Sequence, residues 1–136
     1  MTLKVHEDHR IAAQLFNTQG DGRVLIIDGG GLRRIALLGA TMAAKAVQNG
    51  WAGAVVYGAI RDSEELATIN LGIKAVCTTV LKSAGPTEHQ LNIPVQFGGV
   101  TFHPGDWVYA DSDGIIVRKA AYISPEVKTD PSEKYR

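Results

Sequence analysis

The sequence predicts an α/β protein with an antiparallel addition, and three observations carry that expectation. Two short runs rich in β-branched residues, Arg23–Asp28 and Ala52–Tyr57, read as strands buried on both faces. An Ala-rich helical pattern over Gly39–Asn49 lies between them. Beyond residue 72 the chain holds only short strand-like runs separated by Gly, Pro and Asp. Strand–helix alternation followed by strands alone implies a sheet backed by helices, with an antiparallel element added.

Taken in order, residues 5–19 place Ile11, Leu15 and Phe16 near helical spacing, and Gly20-Asp21-Gly22 turns the chain into the first strand. Gly29-Gly30-Gly31 ends that strand, and Leu32–Leu38 fits either a short strand or a helix start. In the helix over 39–49, Met42, Ala43, Ala46 and Val47 share a face, and Asn49-Gly50 closes it as a C-cap. After the second strand, Gly58–Asp62 reads as a loop. Ser63-Glu64-Glu65-Leu66 opens a short helix, with Ser63 as N-cap and acids in the first turn. Gly72–Leu81 is a third strand region and Lys82–Gln90 a polar surface loop. Ile93–Phe97, Trp107–Ala110 and Gly114–Arg118 are further strands, with a hairpin turn at Asp111, Asp113 and Gly114. Residues 1–120 form one domain, and 121–136 a polar arm.

Composition narrows the function. The 136 residues are 45% hydrophobic and 21% charged, which fits a globular domain rather than a disordered chain. Fourteen Lys and Arg balance fourteen Asp and Glu, so the basic excess of a nucleic-acid binder is missing. Charge balance also weakens self-repulsion and so eases self-association. The lone Cys77 allows no intrachain disulfide, has no zinc-ligand spacing around it, and sits in an apolar run expected to bury it. No apolar stretch approaches the roughly 20 residues that span a bilayer, and the charged start MTLKVHEDHR lacks a signal peptide's apolar core. A soluble cytoplasmic protein is expected, with no membrane or direct nucleic-acid partner.

Ligands on such sheets favour the carboxyl ends of strands, where Asp28–Gly31 and Gly58–Asp62 fall. Asp28-Gly29-Gly30-Gly31 is neither a phosphate-binding P-loop nor a dinucleotide fingerprint; its plainer reading is a tight turn capped by Asp28. Gly39-Ala40-Thr41-Met42 opens a helix with small residues, leaving backbone N–H groups and the helix dipole open to an anion, or simply allowing close packing. Arg61-Asp62 is the most informative pair. A carboxylate and a guanidinium at a strand's end can hold a metal ion and a carbonyl oxygen together, with Glu65 one turn on; a surface ion pair is the alternative. His89 and His103 read as surface or packing residues, Ser83 and Thr87 show no base partner, and Trp51 and Trp107 read as core or interface aromatics.

These pieces occur together in one known arrangement. The series Val24-Leu-Ile-Ile-Asp28-Gly-Gly-Gly31, Arg34-Ile-Ala-Leu-Leu-Gly39, Ala46-Val-Gln-Asn-Gly-Trp51-Ala-Gly53 and Val56-Tyr-Gly-Ala-Ile-Arg61-Asp62 resembles the RraA-like family. So do Gly72-Ile-Lys-Ala75, Gly98-Gly-Val-Thr-Phe102, Pro104-Gly-Asp106 and Tyr109-Ala-Asp-Ser-Asp-Gly114-Ile-Ile-Val117, and the resemblance runs from Leu3 to Val117. That family includes regulators of ribonuclease activity and class II 4-hydroxy-4-methyl-2-oxoglutarate aldolases. Some members have been called demethylmenaquinone methyltransferases, but this sequence holds no glycine-rich methyl-donor motif.

The resemblance implies a three-layer β/β/α sandwich of swivelling-domain type, usually a homotrimer with sites near subunit interfaces. It implies that Asp62 binds Mg²⁺ or Mn²⁺, and that Arg61 contacts the keto oxygen of a small 2-oxo acid and stabilises the developing enolate. The backbone at Gly39, Ala40, Thr41 and Met42 would bind the pyruvyl carboxylate, and Glu65 matches the family's acidic position after the Arg-Asp pair. The implied activity is retro-aldol cleavage of 4-hydroxy-4-methyl-2-oxoglutarate, oxaloacetate decarboxylation, or both, since each passes through a pyruvate enolate. The alternative is a non-catalytic regulator that binds ribonuclease E. Two departures stand out. Aldolase members carry an acid twenty-one residues before the arginine, where this chain has Ala40, which implies weaker metal binding or slower proton transfer. Family members also begin roughly forty residues earlier, and lack of that segment would expose a sheet edge or disturb a trimer contact.

Overall fold

The computed structural model describes residues 1–83 and 85–125. The elements run β1 (Thr2–Val5), α1 (Arg10–Phe16), β2 (Val24–Asp28), β3 (Ala36–Leu38), α2 (Ala40–Gln48), β4 (Gly53–Ile60) and α3 (Ser63–Leu66). There follow β5 (Gly72–Thr78), β6 (His89–Leu91), β7 (Val95–Phe97), β8 (Val100–Phe102), β9 (Trp107–Ala110) and β10 (Ile115–Arg118).

A six-stranded sheet runs β3-β4-β2-β1-β6, with β5 also paired to β4. β4 is the centre. Its first half pairs β2 in parallel from Val24↔Gly53 to Asp28↔Tyr57, while β5 pairs it from Gly53↔Gly72 to Ile60↔Thr78. β3 meets only Ala59 and Ile60 of β4. A strand has two edges, so β3 continues the edge that β2 leaves at the triple-glycine turn. Parallel pairing buries both faces, which is why β2 and β4 are apolar without alternation.

The two faces feed different cores. Leu25 and Ile27 of β2 pack under the helices with Leu3, Phe16, Val56 and the alanines of α2. Ile26 and Val55 face the other way, against Val95 and Phe102 of the β7–β8 hairpin, with Val108, Ile115 and Val117 of the β9–β10 hairpin alongside. The helices, the main sheet and the hairpins form the three layers that the resemblance implied. Ala40, Ala43 and Ala46 form the buried stripe of α2, small enough to bring the helix close to the sheet. Trp51 locks the helix layer, meeting the Phe16 ring edge-on at 5.4 Å and donating its indole N–H to Thr18 O at 3.0 Å. No described helix is long and apolar enough to cross a membrane.

Several expectations are corrected. The first helix covers only 10–16, because Thr2–Val5 joins the sheet as β1 beside β2. Val47 is exposed, so the α2 seam lies at 40, 43 and 46 rather than through Val47. β4 runs on through Gly58 to Ile60, and the loop at its end shrinks to Arg61-Asp62. The segment 82–90 is not all loop: Lys82 bridges to Ala36, and His89–Leu91 pairs β1 as β6. The sequence pattern gives no sign of β8, and Cys77 on β5 is half-buried rather than enclosed. Of the polar arm expected over 121–136, residues 126–136 lie outside the described residues.

Candidate functional site

The site forms where β3 and β4 end side by side. Arg61 N–H donates to Leu38 O at 2.9 Å, so the last residues of both strands are tied together. The chain leaves β4 through Asp62, which takes the left-handed conformation at φ 60°, ψ 40°. That conformation is costly for a residue with a Cβ and persists where its surroundings over-determine it. Asp62, not Ser63, is therefore the N-cap of α3, and its carboxylate makes no bond to that helix. It turns instead to the neighbouring helix, where Oδ2 accepts the Ala40 N–H at 3.0 Å. A carboxylate at the positive end of α2 satisfies one of that helix's open donors.

Gly39 makes this approach possible. A Cβ there would lie 2.9 Å from Asp62 Oδ2 and 3.0 Å from Arg61 Nε. Its backbone is extended, at φ −137° and ψ −179°, so the position demands room rather than unusual dihedrals. Arg61 Nε sits 3.9 Å from Asp62 Oδ2, with both side chains about a third exposed. An ion pair that long and that wet contributes little stability.

A cleft of about 260 Å³ opens at this junction, lined by Gly39, Thr41, Met42, Arg61, Lys82 and His9 among others. The N–H groups of Thr41 and Met42 have no partner among the described residues, whereas that of Ala40 is taken by Asp62. Two open donors, the α2 dipole, Arg61 and Lys82 converge on one small volume, a setting for a carboxylate. Asp62 Oδ1 has no hydrogen-bond partner among the described residues. Those residues hold no cluster of three or more His, Cys, Asp or Glu able to cage an ion. One carboxylate with a free oxygen fits a hydrated hard cation such as Mg²⁺, completed by waters and substrate oxygens. Of the expected site residues, Gly39, Thr41, Met42 and Arg61 line the cleft, whereas Ala40, Asp62 and Glu65 do not, and Glu65 sits exposed on α3.

Sequence spacing does not reveal three further residues. Ser83 is not without a base: its Oγ lies 2.5 Å from His9 Nδ1 and accepts the His9 N–H at 3.4 Å. Lys82 reaches the cleft through its bridge to Ala36, which a polar-loop reading of 82–90 conceals. His9 and Ser83 are 74 residues apart, so only the fold brings them together. Nearby Asp8 is 2% exposed and accepts backbone N–H groups from Arg10 at 3.0 Å and Thr87 at 2.9 Å. Burial opposes its ionisation, but these bonds and the neighbouring Arg10 and His9 hold its carboxyl below the ordinary range. Burial pushes the His9 imidazole down; Asp8 opposes, and the cations of Arg61, Lys82 and Arg10 push further.

The chain is similar to several known proteins. A protein of Ectopseudomonas mendocina named "Putative 4-hydroxy-4-methyl-2-oxoglutarate aldolase" is 48% identical over 93% of this chain and 78% of its own length. One of the same name from Laribacter hongkongensis is 51% identical over 85% of this chain and 72% of its own. Among solved structures, an RNA-processing inhibitor RraA from Thermus thermophilis superposes with a TM-score of 0.86 at 38% identity, over 94% of this chain and 77% of that one. A Geobacillus kaustophilus structure described as an S-adenosylmethionine: 2-dimethylmenaquinone methyltransferase gives 0.85 at 38% identity, over 88% and 74%. The sequence profile described as "RraA-like: Aldolase/RraA" matches residues 1–117, and the chain therefore belongs to the RraA-like family.

Proposed function

We propose that this protein is a divalent-metal-dependent lyase that releases pyruvate from 4-hydroxy-4-methyl-2-oxoglutarate, from oxaloacetate, or from both. The observation that carries the reading is the junction itself, where Asp62 is tied to the first turn of α2 beside Arg61, and Arg61 lines a cleft with two open helix N–H groups. The names of the aldolase relatives support it. In this reading the Thr41 and Met42 N–H groups bind the pyruvyl carboxylate, and Arg61 donates to the keto oxygen. As the scissile bond breaks, charge moves onto that oxygen, and a guanidinium already in place stabilises it without reorganisation. Asp62 would hold Mg²⁺ or Mn²⁺ through its free oxygen, and the ion supplies Lewis acidity at the same keto group. Its other oxygen stays on Ala40 N–H, which fixes the carboxylate's direction. Glu65 and the homotrimer belong to the proposal on resemblance alone.

Pyruvate release tests the reading. With Mg²⁺ the wild type turns over at least one of the two substrates, chelator stops it, and Asp62→Ala lowers the rate by about 100-fold or more. Mg²⁺ also raises the wild-type melting temperature but not that of Asp62→Ala, since an ion bound only to the native state stabilises it. A folded protein with no turnover above the metal-only background overturns the reading. A second reading is a non-catalytic regulator that binds a ribonuclease. It draws on the likeness to the Thermus RNA-processing inhibitor and on Ala40, which stands where aldolase members carry an acid. It predicts ribonuclease E capture without turnover.

A further inference from the structure

We propose that His9 is the acid–base residue of the cleft, taking the substrate's hydroxyl proton in carbon–carbon cleavage and returning it to the product. The proposal deepens the lyase reading and rests on it. Retro-aldol cleavage needs a group that removes a proton from a hydroxyl and later gives one to a carbon. Of the residues lining the cleft, Arg61 and Lys82 are cations, and the others, His9 apart, are glycine, threonine or apolar. Neither nearby carboxylate lines the cleft: Asp62 is occupied on one oxygen by Ala40 N–H and assigned to the metal on the other, and buried Asp8 accepts the Arg10 and Thr87 N–H groups. Among the described lining residues, His9 is the side chain with a proton affinity suited to the exchange.

Its setting fixes the ring. His9 is the N-cap of α1, yet its side chain makes no cap bond. Instead Nδ1 meets Ser83 Oγ at 2.5 Å, and Ser83 Oγ in turn lies 3.5 Å from Asp8 Oδ1. A hydroxyl has one proton. We assign that proton to the ionised Asp8 carboxylate, which leaves Ser83 to accept from the His9 backbone N–H and from Nδ1–H, the tautomer that the proposal requires. The Nε2 lone pair is then the free one. Nε2 has no partner among the described residues, while every buried side-chain nitrogen and oxygen there is paired, so Nε2 is open to the cleft solvent. The charged groups around the ring are Asp8 and Arg10 on its own segment, Arg61 beyond β4 and Lys82 beyond β5. Burial first, and then the cations of Arg61, Lys82 and Arg10 against the one acid, hold the imidazole below its ordinary value, which favours the neutral ring that can act as a base.

The chemistry balances. Nε2 takes the proton of the C4 hydroxyl, the oxygen's electron pair forms the new carbonyl, and the C3–C4 bond breaks with its pair entering the enolate of the pyruvyl half. The imidazolium then gives the same proton to C3, and two pyruvates leave with His9 neutral again. Oxaloacetate loses carbon dioxide without a hydroxyl proton to remove, so that reaction needs no base at the first step.

The experiment compares both substrates in the Mg²⁺-loaded wild type, His9→Asn, His9→Gln and Ser83→Ala, with oxalate binding as a check on the site. Expected are a fall of about 100-fold or more in kcat for cleavage, little change in KM, and a much smaller fall in decarboxylation for the His9 variants. Ser83→Ala loses less, and oxalate binds all four. The acid limb of the wild-type cleavage profile lies below the ordinary histidine value and vanishes in His9→Gln. Equal losses on both substrates, an unchanged rate in either folded His9 variant, or an unmoved acid limb overturns the proposal while leaving the lyase reading intact. No turnover by the wild type on either substrate overturns both.

Discussion

At the scale of single residues, the buried carboxylate of Asp8 anchors the segment that carries His9. It gathers backbone donors from two stretches distant in sequence, Arg10 on α1 and Thr87 ahead of β6. Asp8→Ala leaves those N–H groups without an acceptor and should cost roughly 1–3 kcal/mol in urea unfolding at pH 7. The sign of its pH dependence follows from the carboxyl being held below its ordinary value. Its contribution is complete above the unfolded-state value and drains away as pH falls through the native one. The gap between wild type and Asp8→Ala should narrow in acid; a gap that stays constant down to strongly acid pH contradicts this picture. Asp62 shows how far a residue can be read from sequence. Its position after a buried strand marks it at once, but its left-handed backbone and its bond to another helix are invisible there, because both depend on where β3 stops.

At the scale of elements, α2 shows what its pattern reveals and what it hides. Its extent, its C-cap and its small-residue start are all legible, and Gly50 at φ 81° closes it as expected. The buried stripe lies to one side of the expected one, since Met42 and Val47 look more apolar than the alanines that touch the sheet. Ala43 is fully enclosed, so Ala43→Leu should destabilise by about 1–3 kcal/mol through overpacking. Val47→Lys should shift stability by no more than about 0.5 kcal/mol. Chemical denaturation of the two variants separates the observed seam from the expected one. The strand β1 escapes notice because four residues beside a chain end carry too little periodicity to compete with the helical spacing that follows.

At the scale of the whole molecule, the two cores on either side of the sheet are unequal. The helix-side core holds most of the buried side chains, whereas the hairpin side rests on Ile26, Val55, Val95 and Phe102. Phe102 is 1% exposed and stacks on Phe97 at 4.8 Å, which in turn stacks on Tyr57 of β4 at 4.7 Å. Phe102→Ala should cost about 3–5 kcal/mol and loosen the hairpin layer before the helix layer, as hydrogen exchange resolved by residue would show. The α/β class and the antiparallel second half are legible from hydrophobic patterning. The layering comes from resemblance, because which hairpin covers which face is set by contacts distant in sequence. The same limit hides the cleft's cationic rim: Arg61 stands out beside its strand, while Lys82 and His9 reach it from separate parts of the chain.

The bond from Ala40 N–H to Asp62 has one more consequence. It makes a single backbone amide a gauge of what the carboxylate is doing. Any charge that settles on the free oxygen of Asp62 draws electron density from the oxygen that Ala40 touches, and any ligand that pulls the side chain away releases the amide to water. The Ala40 amide proton should therefore move in an NMR titration with Mg²⁺ even before substrate is added, while the amides of Ala43 and Ala46 further along the helix stay still. An Ala40 resonance that ignores the ion would show that nothing binds at Asp62 in the free protein. The gauge needs no mutation, because the fold has already wired the first amide of one helix to the residue at the end of the next strand.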